Sequence, residues 1–82
     1  MRMPSHVPVY PMRTVVKLTR IEPHRIRFWE SRYGLVHPAR DDSGRRLFSQ
    51  QDVDRLRAIG EMVDEHGLSL VAIRRLLCEQ LA

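Results

Sequence analysis

Pro23 fixes where one helix of this 82-residue chain can begin. Proline has no amide N–H and its ring clashes with the preceding turn, so it suits the first position of a helix and disrupts the interior. A helix starting there makes Glu22 its N-cap. It also puts Ile21 and Ile26 at the spacing of a hydrophobic staple. At about 100° per residue, Ile26, Trp29 and Tyr33 share an apolar arc, while His24, Arg25, Phe28, Ser31 and Arg32 fall on the other side. Gly34 follows as a C-terminal stop. Glu22 to Arg32 therefore reads as a short amphipathic helix with an outer face of Arg, His and aromatic. Such a face suits a DNA major groove. An ordinary solvated helix explains the stretch equally well when it is taken alone.

The flanks narrow the choice. Val15, Val16 and Leu18 give Arg13 to Leu18 enough apolar periodicity for a short helix, and Thr19 to Glu22 is a turn, so the order is helix, turn, helix. Upstream, Val9 to Met12 reads as an edge strand, where Pro11 is tolerable, and residues 1–8 read as a flexible arm. Downstream, extended runs from Leu35 to Arg40 and from Arg45 to Ser49 flank the turn sequence Asp41-Asp42-Ser43-Gly44. That hairpin would form a wing beside the helical pair. Ser49 with Asp52 comes close to a capping box, and Phe48 with Val53 repeats the staple. Val53, Leu56, Ile59 and Val63 mark a third helix that Gly67 ends. Ser69 caps a fourth, marked by Leu70, Ile73, Leu76 and Leu77. The fold class is mainly α with a small β-wing, a winged helix-turn-helix occupying residues 9–82.

Charge follows this division. The net charge is +4, and residues 17–46 carry eight bases against four acids, whereas residues 47–82 carry four bases against six. Thirteen of the fourteen bases are Arg, whose planar fork of donors fits phosphates and guanine edges. Enzymatic readings find no support. There is no Gly-rich phosphate loop and no nucleophile motif. His6, His24, His37 and His66 are not spaced with the single Cys78 as metal ligands would be. No cofactor and no metal are expected. One cysteine, no signal-peptide pattern and no run of membrane-spanning length point to the cytoplasm as the default compartment.

Several runs together resemble the MerR-type winged helix-turn-helix domain. They are Tyr10-Pro11-Met12, Leu18-Thr19, Ile26-Arg27-Phe28-Trp29-Glu30, Tyr33-Gly34-Leu35, Pro38-Ala39-Arg40, Gly44 to Ser49 and Asp52-Val53. The resemblance runs from about Val9 to Leu77. It implies the DNA-binding domain of a bacterial transcription regulator, paired as a homodimer on a palindromic promoter site of double-stranded DNA, with RNA polymerase as a further candidate partner. Pro8 to Pro11 and the Arg45-Arg46-Leu47-Phe48-Ser49 run look like the nitrogen-control repressors of glutamine synthetase genes. The Trp29 to Leu35 run looks like regulators carrying a cobalamin-binding light sensor, and heat-shock repressors form a third group. Three positions depart from the family pattern: Arg20 replaces a turn glycine, Glu22 a capping Ser or Thr, and Phe28 a tyrosine.

On this reading His24 and Arg25 contact base edges. Arg27, Phe28 and Arg32 lie nearer the backbone, with the Phe28 ring packing on sugar or on a thymine methyl. Arg45 and Arg46 hold phosphates or reach a flanking minor groove. Glu30, at the border of the apolar arc, anchors a wing arginine, and Trp29 belongs to the core. The rivals are an architectural, excisionase-like DNA-bending protein and a helical interaction module offering Leu70, Ile73 and Leu77 to a partner. A fourth helix with so few apolar anchors makes a weak dimer seam. The sequence thus reads as a module cut from, or complemented by, something larger, and largely monomeric alone.

Overall fold

The computed structural model describes residues 4–81. The chain runs through β1 (Tyr10–Pro11), α1 (Met12–Thr19), α2 (Pro23–Tyr33), β2 (Ala39–Arg40), β3 (Arg46–Phe48), α3 (Gln50–Asp64) and α4 (Leu70–Leu81). It is a winged helix-turn-helix. The strands form one antiparallel sheet in the order β1-β3-β2, with Tyr10 opposite Phe48, Ala39 opposite Leu47 and Arg40 opposite Arg46. β1 is an edge strand, so the missing N–H of Pro11 breaks no ladder.

Of the arm expected over residues 1–8, residues 1–3 lie outside the described residues. Residues 4–8 are turned back onto the domain. The Ser5 carbonyl accepts the N–H of Gln51 at 2.8 Å, and the Val9 N–H donates to the Phe48 carbonyl at 3.0 Å.

Each helix starts and stops for a local reason. Ser49 Oγ accepts the Asp52 N–H at 3.1 Å while Asp52 Oδ2 accepts the Ser49 N–H at 2.9 Å, completing the capping box of α3. Both staple partners, Phe48 and Val53, are fully buried. Ser69 Oγ accepts the Ala72 N–H at 3.1 Å at the start of α4. α2 ends at Gly34, whose φ of 60° lets the N–H groups of Gly34 and Leu35 turn back to the carbonyls of Glu30 and Trp29. Glu22 makes no side-chain capping bond, so Pro23 and the Ile21–Ile26 staple set the start of α2.

The turn between α1 and α2 is closed differently. Arg20 holds the left-handed conformation, φ 59° and ψ 25°, as a glycine would. Its N–H reaches the Val16 carbonyl at 2.7 Å. Thr19 Oγ1 donates to the Val15 carbonyl at 2.8 Å and accepts the Ile21 N–H at 3.1 Å. The unusual residue leaves the turn's shape intact and strains its backbone.

One core joins all four helices and the sheet. It comprises Val15, Ile21, Ile26, Trp29, Leu35, Val36, Phe48, Val53, Leu56, Ile59, Ile73 and Leu77. Ile21 packs so closely on α3 that a Cβ on Gly60 would lie 3.4 Å from Ile21 Cδ1. Two α3 arginines tie down loose carbonyls. Arg55 Nε donates to Leu35 O at 2.6 Å, and Arg57 donates to Leu18 O through Nη2 at 2.9 Å. Val63 is half-buried against the core near the end of α3, and Leu76 is 47% exposed because it lies about 100° round the helix from Leu77. The face of Ile73 and Leu77 is occupied by the domain's own core, with Leu70 half-buried against it. That removes the interaction module that would offer these residues to a partner. Among the described residues no helix is long and apolar enough to cross a membrane.

Candidate nucleic-acid interface

α2 presents an outer arc because Ile26 and Trp29 are buried on the inner one. His24, Arg27, Phe28, Ser31 and Arg32 are exposed along it. His24 Nδ1 lies 3.2 Å from Glu22 Oε2. The exposed Glu22 carboxylate stands beside Nδ1, and Nε2 stays open on the arc. Ser31 Oγ donates to the Arg27 carbonyl at 2.7 Å within the helix. Phe28 is 48% exposed and meets Tyr33 edge-to-face, with ring centroids 5.5 Å apart.

Arg25 does not share that arc. Its guanidinium sits 4.9 Å from the centroid of the Trp29 ring, and its Nη2 lies 3.3 Å from Asp64 Oδ1 at the end of α3. The reason is geometric. Arg25 precedes Trp29 by one helical turn, so its side chain lies over the ring. To meet a base it would have to leave both contacts.

The other flank of α2 faces the wing. Glu30, only 18% exposed, bonds Arg46 Nε and lies 3.8 Å from Arg40 Nη2. This is the anchor the sequence suggested. It fixes the hairpin against the helix through a partly desolvated ion pair. The wing tip is held from within. Asp41 Oδ1 accepts the N–H groups of Ser43 and Arg45 at 2.8 and 2.9 Å, and Arg40 Nη1 donates to the Gly44 carbonyl at 2.8 Å. The tip carboxylate of Asp41 is thereby engaged by its own turn.

Between α2, the wing and the start of α1 lies a cleft lined by Arg13, Arg27, Arg40, Arg45 and Arg46 together with Pro11 and Met12. Arg27, Arg45 and Arg46 are expected at the interface from the sequence; Arg13 and Arg40 join them in the structure. Arg40 was recoverable from the hairpin register that sets it opposite Arg46. Arg13 carries no local signal. It arrives only because β1 pairs with β3 and carries the start of α1 to the wing. Five guanidiniums with Glu30 as the nearby acid make an anion-binding surface, and their spacing over three elements suits an extended polyanion better than a single small anion.

On the far flank, Glu61, Glu65 and His66 bring one ligand atom each within 4.8 Å of one another. All three are exposed, an arrangement common among solvated acidic groups.

The helical pair, the hairpin packed beside its second helix and the arginine cleft between them define a winged helix-turn-helix module with a cationic reading face. The profile of the MerR HTH family regulatory proteins matches residues 10–80, and the chain belongs to that family. It is 38% identical over 72 residues to the HTH-type transcriptional regulator MlrA of Escherichia coli, covering 88% of this chain and 29% of that protein. It is 39% identical over 70 residues to the HTH-type transcriptional regulator GlnR of Bacillus anthracis, covering 85% of this chain and 53% of that protein. With the HTH-type transcriptional repressor CarA of Myxococcus xanthus the identity is 33% over 60 residues, or 72% of this chain and 21% of that protein. The chain thus spans about a half or less of the curated relatives it matches.

Proposed function

We propose that this chain binds double-stranded DNA as the recognition domain of a transcription regulator, with α2 in the major groove and the wing on the flanking backbone. The observation that carries the reading is the continuity of the five-arginine cleft with the exposed arc of α2. Arg13, Arg27, Arg40, Arg45 and Arg46 neutralise phosphates. His24 meets base edges, Phe28, expected nearer the backbone, joins it there because both stand on the same exposed arc, and Arg32 contacts the backbone beyond them. Arg25 joins the base contacts only after exchanging Asp64 for the duplex. The relatives' names, regulators and a repressor, support control of transcription by binding rather than by catalysis. We place it in the cytoplasm, pairing two copies on a palindrome and acting with RNA polymerase. Neither step calls on a cofactor.

A salt titration tests the binding. Each phosphate neutralised adds about 0.9 to the slope of log K against log salt on B-DNA. Arg27→Ala and Arg45→Ala should each lower that slope by about 1 on cognate and random duplex alike. A wild-type slope near zero would exclude the polyanion reading. Unchanged slopes in both variants would move the duplex away from the cleft.

A further inference from the structure

Along the outer arc of α2 the polar groups surround a single apolar one. His24 Nδ1 is beside Glu22 while Nε2 stays open, Ser31 Oγ is bonded to the Arg27 carbonyl, and Arg32 is exposed. Arg27 lines the wing cleft. Phe28 stands among them as a half-exposed ring with no hydrogen-bonding group. Its edge-to-face contact with Tyr33 holds the ring against its own helix, which lowers the entropy lost when it meets a ligand. Core packing does not explain the residue, because the apolar side of α2 is built from Ile26 and Trp29.

We propose that Phe28 is a specificity-determining residue and that it reads the 5-methyl group of thymine in the major groove. The inference rests on the DNA-binding reading above. In that groove each base pair shows a pattern of donors and acceptors, and the thymine methyl is its apolar mark. A ring that can neither donate nor accept gains nothing from the other edges. It strands the amino group of cytosine or adenine without a partner if pressed against it, which costs binding. Phe28 therefore favours thymine by attraction to one group and by exclusion of polar ones.

The test begins with a randomised duplex library, from which the chain selects its preferred sequence. Each thymine of the selected duplex is then replaced singly by deoxyuridine, which removes the methyl group and keeps every hydrogen-bonding edge. Wild-type protein should lose about fourfold in affinity at one thymine per bound copy, the transfer free energy of a single methyl group. Phe28→Ala should bind the two duplexes equally. Phe28→Leu, smaller but apolar, should retain part of the preference. Because the ring is half exposed, both variants should keep the wild-type circular dichroism. Indifference of the wild type to every replacement, with duplex binding intact, overturns this proposal alone. Full methyl dependence in Phe28→Ala also overturns it. A chain that binds no duplex overturns the parent reading as well, and the salt titration identifies that case.

Discussion

Arg20→Gly should stabilise this domain. Arg20 is a non-glycine residue at φ 59° and ψ 25°. For an L-residue that conformation costs about 1–2 kcal/mol, because Cβ crowds the following carbonyl. Glycine removes the crowding. Its looser unfolded chain takes back about 0.4–1 kcal/mol. The backbone bond from residue 20 to the Val16 carbonyl needs no side chain and survives the change. The net expectation is a gain of about 0.5–1 kcal/mol. For a domain of this size, about 4–8 °C of melting temperature accompanies each kcal/mol, so a rise of about 2–8 °C follows. The exposed guanidinium is lost too, and Arg20→Ala isolates that loss, since alanine keeps the strain. Urea unfolding followed by circular dichroism separates the effects, with an unchanged m-value showing that stability alone has moved. If the glycine and alanine variants unfold at the same urea concentration, the turn is unstrained and the reasoning fails.

Ser49→Ala removes half of the reciprocal cap on α3 and should cost about 0.5–2 kcal/mol, read by thermal melting. Gly60→Ala should gain up to about 1 kcal/mol of helix propensity, because the new Cβ meets only the flexible end of Ile21; a loss would show that Ile21 cannot yield. Glu30→Ala and Arg46→Ala, alone and together, should show a coupling energy of about 0.5–3 kcal/mol in urea unfolding, given the low exposure of both side chains. Additive losses would mean the wing is positioned by the sheet alone.

Elements with a local cause were legible in the sequence. Pro23, Gly34, Ser49 and Ser69 each set a helix boundary through their own backbone or side chain, and α2, α3 and α4 appear where those residues put them. The Glu30 anchor was legible because Glu30 sits at the edge of an apolar arc next to a wing of arginines. What failed depended on partners distant in the chain. A division of the helix into two faces puts Arg25 on the outer arc because it has no place for a flank. The contact with Asp64 joins residues that only the packing of α3 brings together. Arg13 was missed for the same reason: its place in the cleft depends on the pairing of β1 with β3.

The acids that close α3 have a kinetic consequence. Glu61, Asp64 and Glu65 lie at the C-terminal end of that helix, which has no base in its last turn. A helix macrodipole disfavours negative charge there. Asp64 pairs with Arg25, on the flank of α2 away from Glu30 and the wing. The wing flank of α2 thus gathers five arginines around one half-buried acid, while on the Asp64 flank Arg20, Arg25 and Arg57 meet Glu61, Asp64 and Glu65. On the proposed reading a duplex is drawn to the cleft, and the balanced flank offers it no comparable pull. Collisions are sorted by orientation before any contact forms, so fewer of them are wasted. That advantage belongs to the association rate and fades as salt screens the field.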